Sequence, residues 1–130
     1  MASVRGWIHN PLELVSPAQN ATSTIAASST WVLSETQTHK LFLYENSVSY
    51  QEFAFLKAII ACESSWRPNV RGPGGEYGLF QILPTAARNK QAIELGLDYK
   101  NNPEDNIKFG LHIYRTEGYR PWVCGRKILS

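Results

Sequence analysis

The chain has 130 residues, 43% of them hydrophobic and 18% charged, with nine glycines, seven prolines and two cysteines, the size and make-up of one globular domain. These proportions exclude disordered, collagen-like, coiled-coil and zinc-ribbon chains, and a membrane span is excluded too: the longest apolar run, residues 53–62, carries Lys57 and falls short of the ~18 residues a span needs. The net charge of +2 gathers late, with six Lys and Arg in residues 100–130 against Glu104, Asp105 and Glu117, which suits an anionic polymer and is far below the footprint of a nucleic-acid binder.

Residues 1–30 are rich in Ser, Thr, Ala, Asn and Pro with no sustained apolar period, and read as an extended arm. The opening M-A-S-V-R-G-W-I-H-N-P does not read as a secretory signal, because no apolar stretch of roughly 7–15 residues follows Arg5. A removed signal and another export route both remain open. S-E-T-Q at residues 34–37 is a capping-box pattern, and residues 39–45 after it fit either a short helix or, through the β-prone K-L-F-L-Y, a strand. A second capping box, S-Y-Q-E at residues 49–52, opens a stripe of Phe53, Phe55, Leu56, Ile59, Ile60 and Cys62 that predicts a helix to about Ser65. Pro68 and the G-P-G-G of residues 72–75 mark a turn-rich loop. Pro84 fits the first turn of a further helix, running to about Leu95. Asn102 and Pro103 are an N-cap and a first-turn proline, with Glu104 and Asp105 where the helix dipole favours them, and Gly118 suits a left-handed cap at the far end. Residues 119–130 read as a tail. These elements predict a mainly α (α+β) domain over residues 47–130, with a turn-rich loop or short hairpin after the second helix, preceded by a partly irregular arm over residues 1–46.

Glu63 is the anomaly of the second helix. It shares a face with Leu56, Ile59 and Ile60, and a carboxylate at the end of an apolar stripe tends to lose solvent, raising its pKa toward that of a proton donor. The bland alternative is a helix-end glutamate pointing into water. Gln81 sits inside the apolar G-L-F-Q-I of residues 78–82, where an amide can either serve sugar hydroxyls or tie the loop down. Glu76 follows Glu63 by 13 residues; if the loop folds back, two carboxylates face one cleft, the constellation of glycoside hydrolysis. His9, His39, His112, Cys62 and Cys124 show no metal-ligand spacing, and no cofactor is expected. The two cysteines are either independent buried thiols or a disulfide closing a loop of about 60 residues, which would add roughly 4 kcal/mol.

E-S-S-W at residues 63–66, Y-G-L-F-Q-I-L-P-T-A at 77–86 and N-P-E-D-N-I-K-F-G-L-H-I-Y at 102–114 together resemble the lysozyme-like lytic transglycosylases, a group that includes goose-type lysozyme-like domains of bacteria and phages. Three ordered blocks, spanning roughly residues 49–124, carry that resemblance. C-E-S at residues 62–64 and W-V-C at 122–124 further resemble small bacterial and phage lysozyme-like domains. The resemblance implies a lysozyme-like catalytic domain that cleaves the β-1,4 bond between N-acetylmuramic acid and N-acetylglucosamine, with Glu63 as acid/base. It places Ser64, Tyr77, Gly78, Leu79, Phe80, Gln81 and Tyr114 at substrate-binding positions and favours a Cys62–Cys124 disulfide. It further implies peptidoglycan glycan strands as the partner and an extracytoplasmic place of action, free or virion-borne, with residues 1–46 available for docking to a virion or secretion complex.

At one position the pattern departs. E-Y-G-L-F-Q-I resembles the D-Y-G-x-x-Q-I of animal lysozymes, whose acidic residue is a second catalytic carboxylate, so Glu76 is a candidate for that role. With Glu63 alone, the muramic acid 6-hydroxyl attacks and 1,6-anhydro products form; with Glu63 and Glu76, water attacks. A non-catalytic wall-binding or virion structural domain, and a chitin-directed enzyme, are the competing readings.

Overall fold

Ser34 opens the first helix, α1 (Glu35–Asn46): its hydroxyl accepts the Gln37 N–H at 3.1 Å, and the Gln37 side chain accepts the Ser34 N–H at 3.0 Å. The computed structural model describes residues 31–129, in which α1 is followed by α2 (Tyr50–Ser64), α3 (Ala86–Leu95), α4 (Pro103–Glu117) and α5 (Val123–Leu129). Residues 39–45 are therefore helix, not strand: the capping box sets the start, and burial of Leu43 and Tyr44 supplies the rest. The arm read over residues 1–30 lies outside the described residues.

Helix α2 is the centre of the molecule. Ser49 caps it by accepting the Glu52 N–H at 3.0 Å, while the Glu52 carboxylate reaches back to the Val48 N–H at 2.8 Å. Phe53, Leu56, Ile59 and Ile60 are fully or almost fully buried, against Leu43 of α1 and Ile107, Phe109 and Ile113 of α4. Each such side chain contributes on the order of 1.5–3 kcal/mol by leaving water. Helix α1 packs on α2 and α4, so one core runs across the boundary at residues 46/47. Glu52, buried at the start of α2, receives Arg115 of α4 through Nη2 at 2.9 Å and Nε at 3.1 Å. That pair locks the two longest helices together.

Two helix ends differ from their predicted form. Pro84 does not open α3; Thr85 is its N-cap, accepting the Arg88 N–H at 3.1 Å, because a hydroxyl can satisfy a first-turn donor and a proline ring cannot. Gly118 closes α4 at φ 77° but ψ −156°, an extended exit that turns the chain toward α5. Helix α5 falls in the stretch read as a tail. Its seven residues include Gly125 and carry no cap signal, so tertiary contacts hold it. In the turn-rich loop only isolated antiparallel bridges form, Arg71 with Tyr77 and Tyr77 with Ile82, so it is a folded loop, not a hairpin of strands.

Candidate active site

Glu63 is the penultimate residue of α2, and the chain turns sharply after it. Ser65 and Trp66 have φ of 54° and 60°, and the only other non-glycine residue of positive φ among those described is Gln81, at 48°. Such backbone costs about 1 kcal/mol or more at each position and persists only where packing fixes it. Trp66, nearly buried, and Ser64, whose hydroxyl donates to the Ile60 carbonyl at 3.1 Å, supply that packing. The Glu63 carboxyl is half-buried, and Oε2 accepts the backbone N–H of Cys124 at 3.3 Å. Loss of water holds its pKa above the ordinary glutamate range. The Cys124 N–H pulls the other way, the negative charge of Glu76 reinforces the rise, and Arg126 and Lys127 moderate it. A carboxyl group so placed keeps its proton closer to neutral pH than a free one.

The Cys124 N–H is there because of a disulfide. Cys62 and Cys124 are joined, with Cα atoms 6.0 Å apart, which fastens the start of α5 beside the residue that precedes Glu63.

The opposite wall is the turn of residues 77–82, fastened from three directions. Tyr77 and Ile82 exchange both backbone hydrogen bonds at 3.0 Å. Asn106 of α4, fully buried, accepts the Phe80 N–H at 2.8 Å and donates to the carbonyls of Tyr77 at 2.9 Å and Tyr99 at 3.0 Å. Trp122 donates from its indole nitrogen to the Phe80 carbonyl at 2.8 Å. Phe80 lies so close on α4 that a Cβ at Gly110 would stand 2.1 Å from its ring, and one at Gly78 would stand 2.6 Å from the Asn106 amide. Both positions require glycine, and at Gly78 the φ of 72° requires it independently. Gln81 donates to the carbonyls of Val70 at 3.1 Å and Gly78 at 2.9 Å.

Between these walls lies an open cleft of about 740 Å3, lined among others by Glu63, Glu76, Gln81, Thr85, Arg88 and Trp122. The loop thus folds back far enough for both carboxylates to face one space. The Glu76 carboxylate also accepts the N–H of Gly74, two residues before it, at 2.9 Å. Other sequence-designated residues lie elsewhere. Gly78, Leu79 and Phe80 are buried, Ser64 is buried behind Glu63, and Tyr114 packs its ring 5.7 Å from Phe55. Tyr77, half-buried, carries the Arg71 guanidinium 3.7 Å above its ring. None of these lines the cleft. Sequence reasoning missed the Arg88–Glu117 ion pair on the cleft wall, in which Arg88 Nη2 meets Glu117 Oε1 at 3.0 Å and holds the Glu117 pKa down. The partners are 29 residues apart and no local signal joins them. It also gave Asn106 no role of its own, although a polar amide beside Ile107 and one turn from Gly110 on an apolar face is a readable sign of a buried tether.

A small helical body thus carries a half-buried carboxyl group of raised pKa in an open cleft. The sequence profile of the transglycosylase SLT domain family matches residues 41–117, well over half of the chain. The chain belongs to that family, whose members are peptidoglycan lytic transglycosylases, enzymes acting on the cell wall. No curated protein matches the chain. No helix among the described residues is long and apolar enough to cross a membrane.

Proposed function

We infer that this chain cleaves the β-1,4 bond between N-acetylmuramic acid and N-acetylglucosamine with Glu63 as its acid/base, releasing 1,6-anhydro products. The half-buried Glu63 carboxyl, tied by a single backbone N–H in the cleft, carries this reading. Protonated, it gives its proton to the glycosidic oxygen as the bond to C1 breaks. The resulting carboxylate, steadied by the Cys124 N–H, takes the proton from the 6-hydroxyl of the same muramic acid, whose oxygen closes on C1. No water is consumed. Gln81 and the turn that it braces form the wall facing the sugar. Action on the wall places the enzyme outside the cytoplasm, and the residues ahead of α1 are the part we assign to docking on a virion or secretion complex. A chain beginning at Thr30 then keeps full activity on isolated walls and loses only that docking.

A second reading, hydrolysis with Glu76 as the second carboxylate, is favoured by the shared cleft and by the effect of Glu76 on Glu63. Against it stands the Gly74 N–H, which engages Glu76 within its own loop. Mass spectrometry of a cell-wall digest separates the two, because hydrolysis leaves fragments about 18 Da heavier. Anhydro fragments that persist in Glu76→Gln and vanish in Glu63→Gln are expected. Hydrated fragments that vanish in Glu76→Gln would make the enzyme a hydrolase.

A further inference from the structure

From residue 118 onward the chain carries Arg120, Arg126 and Lys127 and no acidic side chain. Two of these cations, with Tyr119 and Leu129, line a second groove of about 470 Å3. Arg120 and Arg126 are exposed and form no ion pair among the described residues, whereas Arg88 and Arg115 are engaged by Glu117 and Glu52. Arg126 is nonetheless held in place: Nη1 donates to the Arg120 carbonyl at 2.6 Å, leaving its other N–H groups for a ligand. The groove adjoins the cleft along one stretch of chain, since Pro121, Trp122 and Val123, between the two arginines, line the cleft itself. All four groove residues lie beyond the stretch that the family profile matches.

We propose that this groove binds the carboxylates of the peptide stem borne by the muramic acid seated in the cleft. In peptidoglycan the muramic acid bears its peptide on the lactyl group, and that peptide leaves the glycan sideways with free carboxylates along it. A stem leaving a sugar beside Glu63 over the wall of residues 121–123 meets Arg120 and Arg126, whose planar forks match carboxylates two oxygens at a time. The groove thus adds selection for peptide-bearing strands to a cleft that reads sugar, and the proposal rests on the glycan-cleaving role inferred above.

The test compares wild type, Arg120→Gln and the Arg120→Gln/Arg126→Gln double variant on walls freed of phosphate-containing polymers, either intact or stripped of peptides by an amidase. Among the described residues the Arg120 side chain makes no hydrogen bond, so the single variant guards against a folding defect in the double. Relative to stripped strands, kcat/KM on intact walls is expected to fall about tenfold in the double variant and less in the single one, and on stripped strands Arg120→Gln agrees with wild type within about twofold; because the Arg126 charge also acts on Glu63, the double variant is read by the intact-to-stripped ratio. Calorimetry with the free stem peptide reads the site independently of turnover: wild type binds, the double variant does not, and amidating the peptide carboxylates abolishes binding. Equal losses on both substrates, or stem-peptide binding unchanged in the double variant, overturn the proposal. Stem-peptide binding without cleavage of either wall leaves the groove standing and refutes the glycan-cleaving reading alone.

Discussion

Two glutamates of α2, eleven positions apart, titrate in opposite directions, and the difference is one of company. Glu52 is buried, which by itself raises its pKa, but the Arg115 side chain and the Val48 N–H outweigh burial and hold it below the ordinary range. For Glu63 the Cys124 N–H and the charges of Arg126 and Lys127 do not outweigh burial and the repulsion of Glu76, so burial prevails. The consequences for stability have opposite signs. The folded pKa of Glu63 lies above its unfolded value, so its contribution is complete below the unfolded pKa and is lost as pH rises through the folded one. Glu63→Gln is therefore expected to melt above wild type at neutral and alkaline pH, with the gap closing in acid, while lytic activity drops at least 100-fold. A variant less stable than wild type at pH 8, or one with more than a tenth of its activity, contradicts the assignment. For Glu52 the stabilisation is present above the unfolded pKa and disappears as pH falls through the folded one. Glu52→Gln should lose about 1–3 kcal/mol at pH 7 in urea titrations, a loss that shrinks as pH falls through the folded pKa of Glu52.

The turn of residues 77–82 depends on Asn106 more than on its own sequence. Asn106→Ala removes three hydrogen bonds and leaves the Phe80 N–H and the Tyr99 carbonyl unpaired, while the Tyr77 carbonyl keeps the Ile82 N–H; the cost is about 3 kcal/mol, read as a melting-temperature drop of roughly ten degrees or beyond. Activity should fall with it, because the wall opposite Glu63 loosens. Gly110→Ala is expected to act in the same direction by displacing the Phe80 ring. How much of this the sequence disclosed follows the range of the interactions. Ser34, Ser49 and Asn102 announced their helices because a cap and its partner lie three residues apart. Glu63 was legible because it breaks a stripe. Thr85 was hidden behind Pro84, whose preference for helix starts is the louder local signal. That Asn106 is a buried tether could be read from its apolar face, but its partners in the turn, 26 and 29 residues away, could not, nor could α5, which has no helical signal of its own, because only the folded chain brings those partners near.

At the scale of the whole molecule, the Cys62–Cys124 bond joins the central helix to the last one across 62 residues. In the chain-entropy account such a closure contributes about 4 kcal/mol, and here it also keeps the Cys124 N–H against the Glu63 carboxyl. Cys124→Ser is expected to lower the unfolding free energy read from urea titration by an amount of that order, and to reduce kcat more than it raises KM. Adding reductant to wild type should reproduce both effects; unchanged kinetics in reductant would show that α5 holds its place without the bond. The fastening of the opposite wall has a different character. Asn106 and Trp122 reach it through the Tyr77 carbonyl and the N–H and carbonyl of Phe80, and Gln81 reaches Val70 and Gly78 through their carbonyls. Since these ties end on main-chain atoms, they make no use of the side chains at residues 71–76 just ahead of the turn, within which Gly72, where a Cβ would stand 2.4 Å from Gln81 Oε1, and Gly75, at φ 92°, are bound to glycine. The rest of that stretch is a part that evolution can exchange: its side chains can follow changes in the chemistry of the walls it meets, while the acid, its disulfide and its buried amide stay as they are.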